Sequence, residues 1–244
     1  MAYRIFARYF MKLAVMQPYF FPYLGYFDLI NMADEWIVFD TPQYIRHGWI
    51  NRNRILDSNS GWQYIIVPVK KHHQVTPINQ IEVSTNTDWK ALILRQLSHY
   101  EDHAPYYVSV MEFLEDCFLD SENNLARLNT RLFRKTCSRL GIEKPIHVFS
   151  DMNLPLGPIN GPDDWALRIS QAVGASEYIN PPGGAGLFDE IKFENCGIKL
   201  TIQSFDNLAY DCGRYEFEPA LSIIDVMMWN SPEKIKQYLD TFRA

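Results

Sequence analysis

Two regions of this sequence carry side chains whose types and spacing suit the binding of a small anionic molecule. The first region runs from position 44 to position 73, where five cationic residues occur with one acidic residue, Asp57. Guanidinium groups pair bidentately with phosphate and carboxylate, so this reversal of charge favours a ligand that carries one of those groups. A solvated basic face is the alternative interpretation. The five cations are Arg46, Arg52, Arg54, Lys70 and Lys71.

The second region consists of polar and glycine residues that directly follow predicted strands. Gln17 follows the apolar run at 12–16, and Asp40 follows the apolar run at 35–39. A third strand, at 177–179, leads into a loop that contains Gly183 and Gly184, and glycines let a ligand approach the backbone closely. Residues at the carboxyl ends of parallel strands face the ligand in open α/β sheets. The alternative interpretation is that this glycine-rich loop only connects two elements and binds no ligand.

The stretch at 12–32 is the element that should position these groups. Its apolar start predicts a buried strand that ends at Gln17-Pro18, because proline cannot donate to a sheet ladder. Helical spacing resumes at Leu24. A strand, a tight turn and a helix start bring free backbone N–H groups to one point, where anions bind in many α/β proteins. An aromatic-lined turn in the core is the alternative.

Alternating strands and helices in the rest of the chain predict an α/β fold with a parallel sheet. Three successive helical patterns interrupt this alternation and predict a helical subdomain inserted at 86–141, with Thr87 or Asn86 as its first cap. A hairpin is expected between 62–69 and 78–83, whereas the segment 46–55 has too much turn chemistry for a core element. Further strands are predicted at 145–149 and 199–204, and helices at 162–173 and after Ser231.

Composition and charge exclude several classes of protein. The net charge of −6 over 244 residues argues against a DNA-binding protein, and no apolar run is long enough for a membrane span. The four cysteines form no C-x-x-C pair, so we expect reduced thiols, a cytoplasmic location and no metal site. Residues 1–10 fit no signal peptide and are interpreted as an N-terminal extension of a domain at 11–244. The apolar run at 221–229 predicts burial in the core or in a homo-oligomer contact.

A set of residues spread along the chain forms a recognisable pattern. It comprises Gln17-Pro18, Pro22, Gly25-Tyr26, Asp40, Gln43, Trp49 and Asn51-Arg52-Asn53-Arg54-Ile55, then Tyr178, Gly183-Gly184, Phe193, Gly197-Ile198 and Leu221-Ser222-Ile223-Ile224-Asp225. Together these residues resemble the WbqC-like protein family. The family name comes from bacterial O-antigen gene clusters, so the resemblance implies a cytoplasmic step in surface-polysaccharide biosynthesis.

Tyr23-Leu24-Gly25-Tyr26 is also similar to the H-x-G-H signature of the nucleotidylyltransferase superfamily. This likeness implies a Rossmann-like, nucleotidylyltransferase-like sheet. In that superfamily the two histidines stabilise the triphosphate, and here both positions hold tyrosine. Tyrosine carries no positive charge at neutral pH and cannot replace imidazolium as an electrostatic partner. The likeness therefore supports the architecture more than the reaction.

The resemblance implies a transferase that places an acyl or aminoacyl group on the amine of a nucleotide-linked amino sugar. Asp40 would accept the proton of the attacking ammonium, with Gln17 and Gln43 beside it. The predicted substrate-binding residues are Tyr26, Asn51, Arg52, Asn53, Arg54, Lys70, Gly183 and Gly184. This reading requires no cofactor. An ATP- and magnesium-dependent ligase or nucleotidylyltransferase is one alternative, and a non-catalytic sugar-binding protein is the other.

Overall fold

A computed structural model describes residues 10–241 of the chain. The extension predicted at 1–10 lies outside these residues except for Phe10. Within these described residues there are seven strands: β1 (Lys12–Met16), β2 (Glu35–Val38), β3 (Arg52–Leu56), β4 (Trp62–Ile66), β5 (Ile146–Val148), β6 (Glu177–Asn180) and β7 (Lys199–Ile202). Five of them form one parallel sheet in the order β5-β2-β1-β6-β7, and β3 and β4 form a separate antiparallel hairpin. The predicted α/β fold with a parallel, Rossmann-like sheet is confirmed.

The central strand β1 is buried on both faces of the sheet. Ala14 belongs to one hydrophobic cluster, whereas Leu13 and Val15 belong to another on the opposite face. Side chains alternate between the faces of a strand, so an all-apolar run of this kind requires helices on both sides. The apolar composition of β1 thus accounts for its place in the middle of the sheet.

Nine helices accompany the strands in the described part of the chain. They are α1 (Leu24–Met32), α2 (Trp89–Gln96), α3 (Tyr107–Phe118), α4 (Leu125–Arg139), α5 (Phe149–Met152), α6 (Pro162–Val173), α7 (Glu190–Asn195), α8 (Ile223–Trp229) and α9 (Pro232–Thr241). The cluster that contains Ala14 also includes buried residues of α1–α4, α8 and α9, and the other cluster includes residues of α6 and α7. None of these helices is long and apolar enough to cross a bilayer.

The order of the strands creates a topological switch point beside β1. The chain continues from β1 to β2 and then β5 on one side, and later returns to place β6 on the other side. Connections therefore leave the carboxyl ends of β1 and β6 in opposite directions. This divergence opens a crevice of the kind in which ligands bind in α/β proteins.

Some sequence predictions of local structure are wrong. Of the predicted hairpin of 62–69 with 78–83, only an antiparallel bridge between Val69 and Val83 forms. Strand β4 pairs with β3 instead, and Ile78–Gln80 is a short 3-10 helix. The segment assigned to turns contains β3, whose Asn53 side chain is buried and bonded to a distant loop. The cap of α2 is Asp88, whose carboxylate accepts a hydrogen bond from the backbone N–H of Ala91.

The helical region at 86–141 contains α2, α3 and α4, as its periodicity predicts. Their buried residues belong to the same cluster as those of α1. The division of the chain into a domain with an inserted subdomain stays a prediction. Residues Ile223–Trp229 of α8 are all buried within the chain itself, which accounts for their apolar composition.

Candidate active site at the switch point

A cavity of about 680 Å³ opens at the switch point. Met16 and Gln17 contribute to it from the end of β1, Thr41 from the segment after β2, and Asn180 from the end of β6. The volume lies in the range of sites that hold a whole small molecule, roughly 300–1,000 Å³. The carboxyl edge of the parallel sheet therefore supplies a ligand-sized space where the sequence predicts one.

Aromatic rings dominate the walls of this cavity. The rings are those of Tyr19, Tyr23, Tyr26, Phe39, Trp49, Trp165, Tyr178 and Phe188. Among residues 10–241, none of the side chains lining the cavity is charged, and the polar ones are amides and hydroxyls. Flat apolar faces and neutral hydrogen-bonding groups suit a sugar or another uncharged ring better than a bare phosphate.

The tyrosines at the cavity act as neutral hydroxyl groups. Burial raises the pKa of Tyr26 well above its ordinary value, and its hydroxyl donates a hydrogen bond to the carbonyl oxygen of Gln17. Burial also raises the pKa of Tyr178, whose hydroxyl donates to Asn180 Oδ1 at 3.1 Å. At neutral pH these phenols orient the ends of β1 and β6 and contribute no charge.

The loop between β1 and α1 is held in place by side chains from distant parts of the chain. Asn129 Nδ2 of α4 donates to the carbonyl oxygens of Pro18 and Ile50, both at 2.7 Å. Asn53 Nδ2 of β3 donates to those of Phe20 and Phe21, at 3.0 and 2.9 Å.

Phe21 needs this support because its backbone is strained. Its φ of 38° lies in the left-handed region, which costs a residue other than glycine on the order of 1–3 kcal/mol. The hydroxyl of Ser222 also donates to the Phe21 carbonyl oxygen, at 2.7 Å. The loop that carries Gln17 and Tyr19 is consequently fixed before any ligand arrives.

Gly184 makes close contact with the end of β6. A β-carbon at this position would lie 2.3 Å from Asn180 Nδ2, and the adjacent Gly183 has no atom within 4 Å of its β position. Both glycines line the cavity. Only Gly184 is therefore required for close packing against Asn180.

A second depression, the basic groove, lies on the segment that follows Pro42. It has a volume of about 380 Å³ and is lined by Tyr44, Arg46, His47, Asn51, Arg52, Ile66, Val69, Lys70, Lys71 and His72. Four of these residues are arginine or lysine, and none is acidic. Lys70 Nζ pairs with Glu82 at 2.5 Å, and the Arg52 guanidinium donates to the carbonyl oxygens of His47 and Gly48.

The structure distributes the predicted site residues over several places. Gln17, Tyr26, Gly183 and Gly184 line the cavity, whereas Asn51, Arg52 and Lys70 line the basic groove. Gln43 lies in an adjoining depression of about 470 Å³ and donates to the carbonyl oxygen of Gln74. Asn53 anchors the loop before α1, and Arg54 packs against indole rings. The functional roles assigned to these residues stay predictions.

Asp40 is buried, with 2% of its surface exposed, and it does not line the cavity. Its carboxylate accepts hydrogen bonds from the backbone N–H of Ser150 at 3.1 Å and from Ser150 Oγ at 2.6 Å. Phe39 and Thr41, its chain neighbours, do line the cavity. The carboxylate thus lies directly behind the wall and holds the start of α5.

Sequence reasoning missed several residues that shape the site. Asn129 anchors two loops, and Trp165 of α6 contributes a wall, yet both belong to long helical patterns that give no sign of these roles. Asn180 directly follows the apolar part of a predicted strand, which is the signal that identified Asp40 and Gln17. No group of three or more metal-ligating residues occurs within 10–241.

The structure is that of an α/β protein with a ligand-sized cavity at the carboxyl edge of a parallel sheet. Residues 17–237 match the model of the WbqC-like protein family. The chain belongs to this family. It is also 33% identical over 233 residues to a Mycobacterium tuberculosis (strain ATCC 25618 / H37Rv) protein described as "Uncharacterized protein Rv1507c". That alignment covers 93% of this chain and 97% of the mycobacterial protein, and no solved structure matches the chain significantly.

Proposed function

We propose that this protein is a transferase of bacterial surface-polysaccharide biosynthesis that acylates the amine of a nucleotide-linked amino sugar. The pathway and the reaction come from the family resemblance. The observation that carries the proposal is the neutral aromatic cavity at the switch point of the sheet. Its rings offer stacking faces to a sugar, and Gln17, Thr41 and Asn180 offer neutral polar groups to sugar hydroxyls.

The basic groove supports the nucleotide part of this proposed substrate. His47 of the groove and Trp49 of the cavity are two residues apart, so their Cα atoms are separated by at most about 7.6 Å. We infer that one ligand extends over both depressions, with its sugar in the neutral cavity and its negatively charged nucleoside diphosphate directed toward Arg46, Arg52 and Lys71.

In the proposed reaction, the sugar amine attacks the carbonyl carbon of an acyl or aminoacyl donor. A C–N bond forms, the bond from the acyl carbon to the donor breaks, and the amine loses a proton. Asp40 is the proposed acceptor of that proton. It would have to exchange its hydrogen bond from Ser150 Oγ for one from the substrate or from a water molecule.

Mass spectrometry of reactions that contain nucleotide-linked amino sugars and acyl or aminoacyl donors tests this function. The expected result is an acylated nucleotide sugar, with kcat at least about 100-fold lower for Asp40→Asn, as the loss of a general base entails. Ser150→Ala is the matched control because it removes the structural partner and leaves the carboxylate. Equal loss of activity in both variants would assign Asp40 a purely structural role.

A non-catalytic sugar-binding protein is the second candidate. The observation that favours it is that no acid or base projects from the described walls of the cavity. This candidate predicts that a nucleotide-linked amino sugar binds to the protein in a calorimetric titration but gives no acylated product with any donor.

The ATP-dependent alternative predicts magnesium-dependent binding of a nucleoside triphosphate. That binding would have to occur in the basic groove, since the described cavity walls offer no cation. Calorimetric titration with ATP, with and without magnesium, tests it, and an absence of heat in both titrations would exclude it.

A further inference from the structure

The outer face of the β3–β4 hairpin carries an alternating set of arginines and aromatic rings. Strand alternation directs Asn53, Ile55 and Ile65 inward, where they are buried. The opposite face presents partly or fully exposed side chains from both strands. These are Arg52 and Arg54 of β3 and Trp62, Tyr64 and Ile66 of β4.

These side chains form one continuous row between the cavity and the basic groove. The guanidinium carbon of Arg54 lies 5.5 Å from the ring centroid of Trp49, which lines the cavity, and 5.0 Å from that of Trp62. The rings of Trp62 and Tyr64 are 5.0 Å apart. Arg52, which lines the groove, lies 4.1 Å from the centroid of Tyr64. We call Trp49, Arg54, Trp62, Tyr64 and Arg52 the arginine–aromatic row.

The chemistry of this row suits a ligand better than it suits packing. Trp62 and Ile66 leave 39% and 46% of their surfaces in water, although burial of such side chains would stabilise the fold. Within residues 10–241, neither Arg52 nor Arg54 forms an ion pair, and their side chains donate only to backbone carbonyl oxygens. Both arginines therefore keep their positive charge available beside a partly exposed aromatic ring, that of Trp62 for Arg54 and that of Tyr64 for Arg52.

We propose that the arginine–aromatic row binds the nucleoside diphosphate portion of the substrate. This inference rests on the proposed function, from which it takes the nucleotide-linked sugar. The base stacks on the exposed ring of Trp62, and the diphosphate pairs with Arg54, which lies between Trp62 and the cavity-lining Trp49. Trp49 joins the row to the cavity that receives the sugar.

A planar base joined to phosphates combines the two chemistries that the row presents. Base–aromatic stacking stabilises binding whatever the identity of the base, and guanidinium groups pair with phosphate oxygens. A neutral glycan would stack on the rings but would have no use for the two arginines. A long nucleic acid is disfavoured because the protein has a net charge of −6.

Calorimetric titrations with uridine diphosphate, uridine and inorganic pyrophosphate test the inference. Uridine diphosphate should bind, and its Kd should rise at least about 10-fold in Trp62→Ala. Trp62→Phe should recover most of the affinity, because it retains an aromatic face. Arg54→Gln should weaken the binding of uridine diphosphate and of pyrophosphate, reduce the salt dependence of both, and leave the binding of uridine unchanged.

Leu119→Ala is the matched control, since Leu119 is an exposed apolar residue outside the row. It should leave the Kd of uridine diphosphate unchanged. Failure of uridine diphosphate to bind, or equal affinity in the wild type and Trp62→Ala, would overturn the inference.

These outcomes are distinguishable from failure of the proposed function because uridine diphosphate contains no amino sugar. Loss of its binding in Trp62→Ala, with no acylated product from any sugar, would retain the row and reject the transferase. Acylated product with full affinity for uridine diphosphate in Trp62→Ala would reject the row alone.

Discussion

Replacing Asp225 by asparagine should remove a specific pH dependence from the stability of the protein. Asp225 lies in the first turn of α8 and is completely buried. Burial raises the pKa of its carboxyl group from 3.8 to about 6, while hydrogen bonds from Tyr100 and Tyr210 partly oppose that rise. The Tyr210 hydroxyl donates to Oδ1 at 2.8 Å, and both the Tyr100 hydroxyl and the backbone N–H of Leu56 donate to Oδ2.

The sign of the effect follows from the raised pKa. The native state binds the proton more tightly than the unfolded state does, so the associated stabilisation is complete below about pH 4 and is lost as the pH rises through about 6. The rise of the pKa from 3.8 to about 6 corresponds to about 3 kcal/mol of folding free energy, at roughly 1.4 kcal/mol for each pKa unit. Above about pH 7 the native protein must hold a charged, buried carboxylate.

Urea unfolding at intervals between pH 4 and pH 8 measures this quantity. The free energy of unfolding of the wild type minus that of Asp225→Asn should fall by about 3 kcal/mol between pH 4 and pH 7 and then become constant. Tyr210→Phe should move the transition to higher pH, because it removes a hydrogen bond that lowers the pKa of Asp225. A difference that stays constant over the whole pH range would refute this reasoning.

Three further predictions concern the loops and the thiols. Asn129→Ala should lower the free energy of unfolding by about 1–3 kcal/mol, since it leaves two loop carbonyl oxygens without their donor; an unchanged urea midpoint would contradict this. Gly25→Ala should lower the free energy of unfolding by about 1–3 kcal/mol, because its β-carbon would lie 2.4 Å from the Tyr23 ring. Gly186→Ala should leave the stability nearly unchanged, because there is open space at that position. Equal shifts of Tm in the two variants would contradict this packing. A thiol reagent should modify Cys196 alone in the native protein, because the other three cysteines are buried, and rapid modification of a second thiol would contradict that burial.

Local sequence signals predicted the elements whose determinants are themselves local. An apolar run that ends at Gln17-Pro18 identified β1, and helical spacing with a proline near the first turn identified α6 at Pro162–Val173. Strand β3 was missed because arginines occupy its outer face and Asn53 occupies its inner face. The buried side chain of Asn53 is stabilised only by carbonyl groups more than thirty residues away.

The predicted site residues that line a depression are shared among the neutral cavity, the basic groove and the depression at Gln43. Sequence identified the strand ends and the cationic segment, because each of these is a short pattern. It could not reveal that the cavity walls lack charge, since those walls come from β1, α1, the segment after β2, α6 and the loop after β6. The anchoring of Pro18 by Asn129 joins residues 111 positions apart, a distance beyond the reach of any periodicity.

The central claim is that the neutral cavity at the switch point holds the sugar of a nucleotide-linked amino sugar. Calorimetric titration of that ligand into Gly184→Ala and Gly186→Ala tests it most directly, because only the first substitution lies in the cavity lining and displaces Asn180. The expected result is a Kd at least about 10-fold higher in Gly184→Ala and unchanged in Gly186→Ala, the loss expected when a hydrogen-bonding group moves out of position. Equal affinity in the two variants would contradict it.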